Sequence, residues 1–153
     1  MKRKTKMKKL QQGRSMIEML GVLAIIGVLS IGGLAGYTMA MNRHRANQAL
    51  DYANRAFVVT QTNGDTYSNI ASDDCKDILD GETMPTFLTS CTAERTSGVT
   101  TVTIDFGSNT AVAKAFASRA LGSESNSTTF TLKDSASGTP AQWAAGTTTT
   151  PDD

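Results

Sequence analysis

From Met19 to Gly36 the chain runs eighteen residues without a charge, and Ser30 is the only hydroxyl among them. As a helix rising about 1.5 Å per residue, such a run covers close to the ~30 Å hydrocarbon core of a bilayer, and continuation through Tyr37 and Thr38 to Met41 adds length to spare. The flanking charge sets an orientation. Seven Lys or Arg precede the run (Lys2, Arg3, Lys4, Lys6, Lys8, Lys9 and Arg14), against three (Arg43, Arg45 and Arg55) in the twenty or so residues after it. The positive-inside bias then predicts a single pass with the N-terminus in the cytoplasm and the rest outside.

A chain of 153 residues has the size of one compact domain. Its net charge of +1 conceals a segregation: residues 1–13 hold six basic side chains and no acid, while the remainder sums to −5 from nine basic and fourteen acidic residues. The body of the chain therefore lacks the basic surface that nucleic acid requires. With one His (His44) and two Cys (Cys75 and Cys91), a four-ligand zinc site cannot be assembled from Cys and His alone, and a His-based catalytic triad is equally cramped. Asp73, Asp74, Asp77 and Asp80 lack the alternating ligand loop of a calcium site and read as a solvated acidic helix. The composition thus predicts no enzyme, no catalytic residue, no metal and no cofactor.

Two ordinary explanations of the N-terminal segment fall short. A cleavable secretory signal has an apolar core of about 7 to 15 residues, and here the only passable small-residue cleavage site, Thr38-Met39-Ala40, lies beyond a longer one. A plain signal anchor accounts for the length and the charge but leaves Glu18 unexplained. An ionised carboxylate in an apolar stretch costs up to roughly 3 kcal/mol at mid-membrane and less near the interface.

The run Gly13-Arg14-Ser15-Met16-Ile17-Glu18-Met19-Leu20-Gly21-Val22-Leu23-Ala24-Ile25-Ile26-Gly27 resembles the class III signal of type IV prepilins. It combines a basic leader, a small residue at the cut, a Glu at fixed spacing and a long apolar helix. The resemblance covers about thirty residues of the chain and implies that prepilin peptidase cuts after Gly13 on the cytoplasmic side. Arg14 becomes the methylated N-terminus, where the family commonly has Phe or Met. Glu18 becomes the fifth residue of the mature chain, and the family pattern pairs it with the N-terminal amine of a neighbouring subunit during filament assembly. A carboxylate in an apolar setting is tolerable with a charged partner and costly alone.

Past Met41 the sequence stays helical but turns amphipathic, with Ala46, Ala49, Leu50, Ala53 and Phe57 on one stripe. No proline interrupts Ser15 to Val59, so a continuous helix of about 45 residues, near 68 Å, is expected. Thr62-Asn63-Gly64-Asp65 is a turn signal that ends it. In the head, Ser72–Leu79 is expected to form a short capped helix, Gly98–Phe106 a strand with Val99, Val102, Ile104 and Phe106 on its apolar side, Ala111–Leu121 a helix, and Thr128–Leu132 a strand. Trp143 anchors a last strand or loop, and the Ser/Thr-rich end is solvated surface. Cys75 and Cys91, in a head placed outside the cytoplasm, are expected to form a disulfide. A metal site or catalytic thiols would need a His or basic neighbours beyond Lys76.

The expected organisation is α+β: a leader over 1–13, a transmembrane or filament-core helix over 14–41, its amphipathic continuation over 42–62, and a small head over 63–153. The resemblance implies a type IV pilin-like filament subunit for adhesion, motility or transfer, and the strand, helix, strand order after Cys91 leans to type IVb. Its implied partners are prepilin peptidase, further copies of itself in a helical filament, the pilus or secretion assembly machinery and, before assembly, membrane lipid. Its implied location is the inner membrane, then an extracellular filament. The alternatives are a pseudopilin or minor pilin of a type II secretion or DNA-uptake system and, from another class, a signal-anchored extracytoplasmic binding domain.

Overall fold

The computed structural model describes residues 8–62, 73–134 and 140–146. Helix α1 spans Lys8–Thr62. It starts before the expected Ser15, since nothing in Lys8 to Gln12 breaks a helix and Gly13 costs only about 1 kcal/mol relative to Ala. The residues divide into two compact units, one ending at Ala40 and the other beginning at Met41.

In the first unit every side chain from Met16 to Ala40 is exposed. It includes the one helical stretch long and apolar enough to cross a membrane among the described residues, with a mean hydropathy of 2.2 over 18 residues.

In the second unit the later part of α1 joins a small sheet. The elements after α1 are β1 (Asp73–Asp74), α2 (Cys75–Ile78), β2 (Ser90–Thr96), β3 (Val99–Asp105), α3 (Thr110–Ala120), β4 (Thr129–Lys133) and β5 (Gln142–Ala145). The strands lie in the order β1-β2-β3-β4-β5, each antiparallel to the next. The fold is α+β, a long N-terminal helix followed by a small disulfide-stapled sheet, as the sequence implied.

One core joins the elements of this unit. Ala46, Ala49, Tyr52, Ala53, Ala56 and Phe57 of α1 are buried in the same cluster as Val102, Ile104, Phe116 and Phe130. The stripe therefore holds Tyr52 and Ala56 as well, and Leu50 lies only half-buried at its edge. Four alanines let the helix backbone approach the head closely without loss of helix propensity. The rings of Phe106, Phe116 and Phe130 meet at centroid distances of 4.9 to 5.9 Å, and Trp143 of β5 stands edge-on to Phe116 at 5.0 Å. These tilted and T-shaped contacts are the arrangement that ring quadrupoles favour, and they tie α3 to the sheet.

The expected helix over Ser72–Leu79 is corrected to a single turn. Asp73 and Asp74 pair with Ala93 and Thr92 of β2, so their backbone is extended and α2 begins only at Cys75. Asp74 occupies the N-cap position without a side-chain capping bond, and Ser72 lies outside the described residues. On β3 the buried face is Thr100, Val102 and Ile104, continued by Phe106, and Val99 is only half-buried. The strict two-residue period puts Val99 on the other face from Val102 and brings a threonine inward instead.

The strand that sequence reasoning did not find, β2, pairs with β3 through a two-residue hairpin. Ser97 and Gly98 both have positive φ, 53° and 82°, and Thr96 faces Val99 across the turn. Two successive residues in that region match the right-handed twist of the flanking strands. The turn from Asn63 to Asp65 and the tail from 147 to 153 lie outside the described residues.

Candidate functional site

The residues singled out by the sequence fall in two places. Gly13 and Arg14 are within α1, so the bond between them lies inside a helix. Gly13 is the residue there that holds a helix least well. Glu18 is exposed one turn later on α1. Residues four apart on a helix share a face, so Glu18 and position 14 lie along one line of the helix surface.

Around Glu18 the surface is apolar. Met16, Ile17, Met19, Leu20, Val22 and Leu23 are each more than half exposed, and so are the large apolar residues onward to Met39. Fourteen such side chains lie between Met16 and Met39. Full burial of each is worth about 1.5 to 3 kcal/mol, so even partial gains sum to on the order of 20 kcal/mol available from a bilayer or from other helices. The segment is long and apolar enough to cross a membrane, and Glu18 is the one acidic or basic side chain in it between Met16 and Ala40.

The second place is the disulfide. Cys75 opens α2 and Cys91 lies on β2; they are bonded, with Cα atoms 5.4 Å apart and both side chains buried. The bond ties β1 and α2 to the sheet at the beginning of the head. The chain from α2 to β2 is held further by Leu88 N–H donating to Pro85 O at 3.0 Å and by Asn109 Nδ2 donating to Phe87 O at 2.9 Å.

That held segment forms one wall of a groove of about 650 Å³, and α1 forms the other. From α1 come Met41, His44, Arg45, Gln48, Asp51, Tyr52 and Arg55; from the segment come Glu82, Pro85 and Phe87. Arg55 spans it, donating from Nη1 to both oxygens of Glu82 at 2.9 and 3.1 Å and from Nη2 to Asp51 at 2.9 Å. All three side chains are well exposed, so each pair adds at most about 1 kcal/mol.

Tyr52 is 2% exposed, and among the described residues its hydroxyl has no hydrogen-bond partner. Burial, reinforced by the carboxylates of Glu82 and Asp74 and opposed by Arg55, pushes its phenol above the ordinary tyrosine range.

At the far end of the same unit Arg95 Nη1 donates to the carbonyl of Gln61 at 2.8 Å, and Gln61 Nε2 donates to Asp134 at 2.7 Å. A cation on the last carbonyls of α1 complements the negative end of the helix dipole. Among the described residues no three His, Cys, Asp or Glu side chains are grouped as metal ligands.

The groove was not legible from the sequence. The sequence shows the apolar stripe of this part of α1 but not what faces its polar side, and the opposing wall comes from a loop whose path only the disulfide and the sheet determine. The signal that could have been used was the recurrence of polar residues at 44, 48, 51 and 55, which share a face at helical spacing. No protein-family model, no curated protein and no solved structure matches this chain.

Proposed function

We propose that this chain is the structural subunit of a type IV pilus-like filament. It enters the inner membrane through α1, is cut by prepilin peptidase after Gly13, and assembles with further copies of itself through the same helix. Its service is mechanical and adhesive rather than catalytic. The observation that carries this reading is Glu18: a single carboxylate on an exposed apolar helix, one turn from the position where cleavage would create an ammonium group. The pairing of carboxylate and amine between subunits would offset the desolvation of both when the apolar helices pack together. The exposed apolar helix supports it too, since the same surface suits lipid before assembly and neighbouring helices after it. The disulfide supports a head that matures in an oxidising compartment.

The test is N-terminal mass analysis of the protein from cells that hold the peptidase. A chain beginning with N-methylated Arg14 is expected. A chain beginning at Met41, or one that keeps residues 1–13, overturns the proposal in favour of ordinary secretion or a simple anchor.

A further inference from the structure

Of the seven asparagines in the chain, Asn126 alone has a hydroxyl residue two positions on, Thr128, with Ser127 rather than proline between them. Asn-x-Ser/Thr is the acceptor pattern for N-linked glycosylation. Three residues match by chance in many chains, so an acceptor must also stand free on the surface.

The residues lie in an irregular segment between α3 and β4, within the head unit. Exposure alternates along it: Glu124 and Asn126 are exposed, whereas Ser125 and Ser127 are turned partly inward. The inward pair is held. Ser127 N–H donates to Ser125 Oγ at 3.1 Å, and the Ser127 hydroxyl shares its proton between the carbonyl oxygens of Thr129 at 2.8 Å and Gly146 at 2.7 Å. Those bonds pin the serines beside β4 and the end of β5 and leave the asparagine outward. Among the described residues the Asn126 amide and the Thr128 hydroxyl make no hydrogen bond, and no backbone N–H from Ser123 to Asn126 donates to another backbone group. An amide that served the fold would have to be pulled away before an enzyme could use it. Here it is free, and residues 123–126 can be drawn out while the sheet contact from Phe106 N–H to Thr128 O, at 2.9 Å, stays in place.

Drawn out, the segment offers three handles. Side chains two residues apart in an extended chain point the same way, which puts the Glu124 carboxylate, the Asn126 amide and the Thr128 hydroxyl on one side. An acceptor groove can hold the carboxylate with a cation and the hydroxyl with a hydrogen bond, fixing the amide between them against the donor sugar.

We propose that Asn126 is the attachment site of an N-linked glycan, read by an oligosaccharyltransferase together with Glu124 and Thr128. The donor is a glycan carried on a lipid diphosphate. Asn126 Nδ2 forms the bond to C1 of the first sugar, the C1–O bond breaks, the lipid diphosphate leaves with that electron pair, and one amide proton passes to a base. Nothing is oxidised or reduced. The inference rests on the reading of the head as exported, and it adds a modification that the filament reading does not require.

The test expresses the full chain in bacterial cells with and without a membrane oligosaccharyltransferase and its lipid-linked donor, and reads intact mass and peptide fragmentation. A gain of one glycan is expected only with the enzyme, placed on Asn126. Asn126→Gln and Thr128→Val should abolish it and Thr128→Ser should keep it, with the Cys75–Cys91 bond intact in each as the control for folding. Glu124→Gln should lower the ratio of glycosylated to free chain about tenfold, the scale of one charge-assisted hydrogen bond.

A sugar on Ser123, Ser125 or Ser127, or a glycan that persists in Asn126→Gln, overturns the site. An unchanged ratio in Glu124→Gln overturns the part given to the carboxylate. Protease added to spheroplasts separates the remaining failures: a digested, exported head without glycan overturns the site alone, whereas a head protected from protease overturns the export on which both readings depend.

Discussion

Replacing Tyr52 by Phe should stabilise the head, and the size of the gain follows from the burial of one hydroxyl. The side chain is 2% exposed and its oxygen has no partner among the described residues. A buried polar group left unpaired costs about 1 to 3 kcal/mol, while the ring contacts that Phe retains are unchanged. A gain of about 1 kcal/mol is the expected result at neutral pH. With a urea dependence of about 2 kcal/mol per molar, that is an upward shift of about 0.5 M in the unfolding midpoint. Trp143 is the only tryptophan and stacks edge-on to Phe116, so its emission in the full chain reports the head.

The same hydroxyl predicts a pH dependence. The folded phenol is pushed above its ordinary range, chiefly by burial, while in the unfolded chain it ionises near pH 10. Below pH 10 both states hold the proton and the stability is fully present. Above it the unfolded state releases the proton first, so the wild-type head loses stability as pH rises toward the folded value, by at most about 1.4 kcal/mol per pH unit from this group. Tyr52→Phe lacks that loss, and the gap between the two proteins should widen from pH 10 upward. A variant weaker than wild type by 1 kcal/mol at pH 7, or a gap that narrows in alkali, would refute the assignment of an unpaired hydroxyl.

Glu18→Ala should leave membrane insertion and cleavage after Gly13 intact, as a membrane-fraction blot would show, while surface fibres counted by electron microscopy disappear; normal fibres would remove the intersubunit pairing. Glu18→Asp should assemble weakly because its shorter side chain reaches less far. Reduction of the Cys75–Cys91 bond should lower head stability by roughly 3 kcal/mol on the chain-entropy scale for a loop of this length, and thiol alkylation should need prior reduction; thiols that react in the unreduced protein would refute the bridge. Gly107→Ala should cost about 2 kcal/mol in urea unfolding, since Gly107 has φ of 52° and a Cβ there would collide with the Thr89 hydroxyl; an unchanged midpoint would show that the turn relaxes freely.

Much of the architecture lay in the local order of residues. The uncharged run from Met19 to Gly36, the absence of proline through Val59, the alternation before Phe106 and the glycine after Leu121 each constrain backbone and burial over a few turns, and the elements lie within a few residues of where those signals put them. Glu18 stood out for the same reason: a charge in an apolar run is visible without any tertiary information.

What depended on distant partners was not visible. Asp73 and Asp74 carry the composition of a helix start, yet pairing with Ala93 and Thr92 draws them into the sheet. The sequence Ser90–Thr96, with few large apolar side chains, becomes a strand because β3 offers it a ladder and Ser97-Gly98 a tight turn. Tyr52 joins the core, and His44 and Arg45 come to line a groove, only because the loop pinned by Cys75–Cys91 and Asn109 lies across from α1. Local patterning sets which face of a segment seeks cover, but what covers it is decided by contacts between residues tens of positions apart, whose energies no short window of sequence contains.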